Sequence, residues 1–181
     1  VSVHMGLSLL LASLMVYITV RSFRIESGGY NPSLQSAPLR YRVAILWFLA
    51  MTQMVFGARI RGGIETLSEQ FPLLNSGALL SKVGGIAHLH YFIGAIILVA
   101  AVILVPWVLK ADSSRSPLVR QSAMGILPAG ITQIILGSIL VIAGIPQLMQ
   151  LLHLWFAAIF IGLIVMTFDS LSYIKEGAYG R

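Results

Sequence analysis

Thr52-Gln53-Met54-Val55-Phe56-Gly57-Ala58 is repeated further along the chain as Thr132-Gln133-Ile134-Ile135-Leu136-Gly137-Ser138. Each copy is Thr-Gln, three apolar residues, Gly and a small residue, set in a long apolar stretch. The stretch that follows each copy carries a histidine, in His90-Tyr91-Phe92-Ile93-Gly94 and in His153-Leu154-Trp155-Phe156-Ala157. Two copies of one helix hairpin account for this pattern. Repeats of this kind are common in membrane folds, with ligands at the repeat interface. Small residues in a span also serve plain helix packing. That account covers the glycines but not a matched Thr-Gln with a matched histidine.

Composition agrees with a membrane fold. Of 181 residues, 57% are hydrophobic and 10% charged, with a mean hydropathy of +0.90. That is too little charge to coat a soluble domain and too much apolar surface to hide inside one of this size, and it excludes disorder. A span needs about 20 apolar residues. Five segments are predicted as transmembrane helices: a, Val1–Val20; b, Val43 to about Ala58, with room to continue past Ile60 as its arginines snorkel; c, Val83–Leu109; d, Gln121–Ile145; and e, Gln147–Phe168. Pro146 is placed in the first turn of helix e, where its missing N–H costs nothing. The fold expected is all-α, with b–c and d–e forming a four-helix bundle of two repeated hairpins. With no flank before helix a, the chain reads as the C-terminal part of a longer protein.

The formal charge of +6 comes from 12 Lys+Arg against 6 Asp+Glu. In such a chain the excess is a topology signal rather than a nucleic-acid patch. Arg21, Arg24, Arg40, Arg42, Lys110, Arg115, Arg120, Lys175 and Arg181 fall on one side; Arg59, Arg61 and Lys82 fall on the other. This places the a–b loop, c–d loop and C-terminus in the cytoplasm, and makes helices a, c and e run inward in parallel.

With no cysteine, the chain has no disulfide framework and no thiolate metal site. Its histidines are His4, His88, His90 and His153, all near the starts of helices a, c and e. His90 and His153 are expected at similar depth. His4, His90 and His153 each have a small residue one helical turn later: Ser8, Gly94 and Ala157. A small side chain there leaves a slot for a flat macrocycle whose iron takes the imidazole nitrogen. The plainer account is a polar residue serving helix packing or proton relay; the repeat-related pair at matched depth favours bis-histidine haem ligation. His88 points about 200° away from His90 around the helix and is followed one turn later by Phe92, which fits a structural or propionate-side role. No His-x3-His pair occurs, and Glu65 and Glu69 are expected in the outer loop, so zinc does not fit.

In order and spacing, these residues resemble the haem A synthases (CtaA type) of cytochrome oxidase assembly, over essentially the whole chain. Val3-His4-Met5-Gly6-Leu7-Ser8 is similar to the family's fourth helix. Gln53-Met54-Val55-Phe56-Gly57-Ala58-Arg59-Ile60-Arg61 is similar to the fifth helix and its exit, and Phe71-Pro72-Leu73-Leu74-Asn75 to the next outer loop. His90 matches the sixth helix, and Ile145-Pro146 with Leu152-His153 matches the seven–eight turn and eighth helix.

The resemblance implies that residues 1–24 are the last helix of an N-terminal, substrate-haem bundle. Residues 25–42 are then a cytoplasmic linker, and 43–181 the C-terminal bundle binding haem b. It implies His90 and His153 as iron ligands, with Gly94, Ala157, Arg59 and Arg61 around the cofactor; the two arginines equally suit interfacial snorkelling. His4, with Ser8, would be a ligand in the substrate haem O site, its partner on further N-terminal helices or another chain. The implied reaction is oxidation of the haem O C8 methyl to a formyl group in the plasma (inner) membrane, with haem O synthase as a partner. Two departures are plain. The family's sixth-helix His-Arg is here His90-Tyr91, so that arginine's propionate contact has no counterpart. The catalytic Glu-x-x-His-Arg of its second helix is absent, since no Glu lies three residues before any His. The rival reading is a b-type membrane cytochrome without synthase activity.

Overall fold

The computed structural model describes residues 2–27, 30–32, 37–110, 117–171 and 173–175. Among these are six helices: α1 (Ser2–Ser27), α2 (Ala37–Gln70), α3 (Ser76–Val83), α4 (Gly85–Lys110), α5 (Pro117–Ile142) and α6 (Gln147–Ser170). One antiparallel strand pair, β1 (Tyr30–Pro32) and β2 (Tyr173–Lys175), ties the α1–α2 connection to the segment after α6. Helices α2, α4, α5 and α6 are each long and apolar enough to cross a membrane; in α1 the apolar helical stretch is Leu10–Phe23. These four make a multi-pass membrane protein.

Helix b proves far longer than its apolar stretch. Hydropathy ends it near Ala58, because Arg59 and Arg61 end the hydrocarbon-compatible run, but charge does not end a helix. Arg and Glu are good helix formers, and no proline occurs until Pro72. Pro72 disfavours helical backbone at Phe71, and α2 stops at Gln70. Glu65 and Glu69 are therefore helical rather than in a loop, and the expected linker 25–42 includes the ends of α1 and α2. A sixth helix, α3, lies where an irregular loop was expected. Asn75 caps it, its Oδ1 accepting from the Ala78 N–H at 2.9 Å. Gly84, at φ 78°, breaks the chain between α3 and α4. Pro106 and Pro128 sit inside α4 and α5, as membrane helices tolerate. Pro146 is the N-cap of α6.

The bundle closes in the ring α2–α4–α5–α6, so α4 and α6 stand diagonally across its interior. Helix α1 lies outside, against α6 and α2, with Trp47 Nε1 donating to buried Ser13 Oγ at 3.4 Å. One end of the bundle carries the β1–β2 pair; the other carries α3, whose Ser76 approaches Gly144 in the α5–α6 turn. The continuous buried core occupies the strand-pair half. Its members are the inward-facing residues between Val43 and Ala50 of α2, between Ile97 and Val108 of α4 and between Val119 and Ala129 of α5, with Phe160, Ile161, Ile164 and Leu171 from α6 onward. None of these buried core residues lies in the half that bears the histidines.

Candidate functional site

His90 lies five residues past the start of α4 and His153 six past the start of α6. At ~1.5 Å per residue these are depths of about 8 and 9 Å. The expected match in depth is present, and the diagonal placement of α4 and α6 puts both histidines on helices that face each other across the interior.

Each ring is seated by the other helix of its own hairpin. A Cβ at Gly57 would stand 3.3 Å from His90 Cε1 and 3.9 Å from its Nδ1. A Cβ at Gly137 would stand 3.4 Å from His153 Cε1 and 3.9 Å from its Nδ1. In both hairpins the Cε1–Nδ1 edge faces the glycine, leaving Nε2 as the nitrogen turned from that helix. Both Nδ1 atoms are buried without a hydrogen-bond partner. Gln53 Nε2 donates to the His90 carbonyl at 2.7 Å, and Gln133 Nε2 to the His153 carbonyl at 2.8 Å. Thr52 and Thr132 instead bond their own helices, at the carbonyls of Phe48 and Pro128. The sequence repeat is thus a repeat of contacts.

The space a Cβ would take at Gly94 abuts Gln53 Nε2 at 3.0 Å, so this glycine admits the glutamine amide. Ala157 is buried at the corresponding place. The close approaches to the rings are at Gly57 and Gly137, residues the sequence marked only as part of the repeat. Arg61 lies one turn beyond Gly57 and two beyond Gln53, on the same stripe of α2; Arg59 lies off that stripe, and both are exposed. His88 is exposed, as its angular offset from His90 requires. His4 is exposed near the start of α1, and Ser8 Oγ donates to its carbonyl at 2.9 Å. The structure does not bring His4 to the paired histidines. No group of three or more His, Cys, Asp or Glu that could hold a metal occurs among the described residues.

A polytopic helical bundle of two internally related hairpins, each with one histidine seated against a glycine of its partner helix, is the class of membrane protein that the fold and the repeat define. The chain belongs to the cytochrome oxidase assembly protein family COX15-CtaA, which matches residues 1–165. Members of this family act in haem A biosynthesis. No curated protein and no solved structure matches the chain.

Proposed function

We propose that this chain binds haem b through His90 and His153 and acts as the electron-transferring part of a haem A synthase, which oxidises the C8 methyl of haem O to the formyl of haem A. One observation carries the reading: two imidazoles on diagonal helices, each seated edge-on against a glycine, each with a buried Nδ1 that finds no partner in the protein. A packed structural histidine would use its ring nitrogens for interhelical hydrogen bonds. These rings are held by shape, with Nε2 left for a ligand. The apolar bundle suits a macrocycle, and Arg61, on the histidine-facing stripe of α2, suits a propionate. Bound haem b would supply one-electron transfer; the protein supplies ligands, orientation and a dry setting.

His4 and Ser8 belong, on this reading, to the haem O site, completed by helices outside this chain. The alternative is a b-type haem-binding membrane cytochrome without synthase activity. We place the protein in the plasma membrane with its C-terminus in the cytoplasm, on the cation count of its loops.

Purified protein should show a reduced-minus-oxidised haem alpha band with low-spin, bis-histidine character. His90→Ala and His153→Ala should each abolish that character, and His88→Ala should leave it intact. A spectrum unchanged by the first two substitutions would refute the ligand assignment. Haem extraction from cells with and without the gene tests the synthase reading, because unchanged haem A levels would rule it out.

A further inference from the structure

Each histidine is gripped at two points one turn apart on the neighbouring helix. Gly57 receives the His90 ring, and Gln53, four residues earlier, bonds the His90 backbone carbonyl; Gly137 and Gln133 do the same for His153. A helical carbonyl already accepts from the N–H four residues on, so each amide takes that oxygen's second lone pair. Helix stability does not require this bond. A primary amide among apolar helices is moreover costly to keep, and Gln53 Oε1 is buried without a partner. The same costly group stands in both halves and meets the histidine itself rather than a neighbour in sequence.

We propose that Gln53 and Gln133 are positioning residues for the two histidines. By bonding the backbone of the ligating residue, each fixes how its helix is rotated about its own axis at that residue, and so the direction in which Nε2 points. The small residue one turn after each histidine serves this grip. Gly94 leaves the space that Gln53 Nε2 enters, and Ala157 still permits the 2.8 Å bond from Gln133. The inference rests on the haem reading, and its test keeps the two apart.

The test uses the full chain, purified with haem. Gln53→Met and Gln133→Met keep side-chain length and remove the donor. Gly94→Val fills the amide's place while leaving Gln53 intact, and so serves as an independent variant should a Met substitution impair folding. Thr52→Ala and Thr132→Ala are controls, since those hydroxyls bond only their own helices. The readouts are the g-maximum of the ferric low-spin electron paramagnetic resonance signal, the reduction midpoint, and haem affinity. The Met variants and Gly94→Val should each shift the g-maximum and midpoint and weaken haem binding about 10-fold, as loss of a group supporting a metal ligand does; the threonine variants should match wild type. A wild-type chain without a low-spin ferric signal would overturn the haem reading itself. A normal wild-type signal that the Met variants and Gly94→Val reproduce, even with lowered thermal stability, would overturn only the positioning role and leave the glutamines as plain interhelical bonds.

Discussion

At the scale of single residues, Gly57 and Gly94 make opposite predictions. A Cβ at Gly57 meets the imidazole of His90, a rigid ring, at 3.3 Å. A branched side chain there must turn the ring or part the helices. Gly57→Val should cost about 1–3 kcal/mol by overpacking and lower the haem bound per chain, read from the Soret-to-protein absorbance ratio. A methyl at Gly94 meets the terminal amide of Gln53 at 3.0 Å, the far end of a flexible side chain that can give slightly without leaving the His90 carbonyl, and the second hairpin keeps its glutamine bond at 2.8 Å with Ala157 at the corresponding place. Gly94→Ala should leave the absorbance ratio close to wild type. An equal loss in both variants would show that the ring seat at Gly57 is not special. The histidines and their repeat were legible in the sequence, because spacing and periodicity alone carry them. The glutamine grip was not. Gln53 bonds a backbone carbonyl 37 positions away, and a backbone acceptor has no residue identity to read.

Helices show where the reading of spans stops. Apolar length measures hydrocarbon thickness, so it located four spans that the structure contains; it could not locate the end of α2, which runs on through Arg59, Arg61, Glu65 and Glu69. Helix α3 escaped notice because it is short and its defining signal is one cap. Asn75 accepts from the Ala78 N–H with extended backbone at φ −72°, ψ 161°, a geometry that side-chain capping requires. Only Leu79 of α3 is buried, so this helix has little packing to hold it. Asn75→Ala should remove about 1 kcal/mol and speed amide exchange across Ser76–Val83 by about 5-fold, leaving α4–α6 unchanged. Exchange that rises equally in the spans would mean that α3 is coupled to the whole bundle rather than appended to it.

The molecule as a whole is sorted into two ends. At one end the β1–β2 pair joins the segments beside α1, α2 and α6, and Arg40 and Arg42 stack on Phe168 and Trp107 at 4.8 and 4.4 Å. Such amphipathic stacking at span ends is how cations and aromatics mark a membrane interface. At the other end lie α3 and the α5–α6 turn, brought together at Ser76 and Gly144. The fold therefore pairs the connections as the cation count does. The proposed cytoplasmic placement of the strand-pair end rests on nine Lys/Arg against three. Because the chain has no cysteine, a single introduced thiol reports alone. Ser113→Cys, between α4 and α5, should react with a membrane-impermeant maleimide only after the cytoplasmic face is opened, whereas Ser81→Cys in α3 should react in intact cells. The reverse pattern would invert the orientation, and labelling of both from one side would break the pairing of the ends. The result also locates the chemistry. His90 and His153 lie within about 9 Å of their helix starts at the α3 end, so the face on which Ser81→Cys reacts is the face nearer the paired histidines.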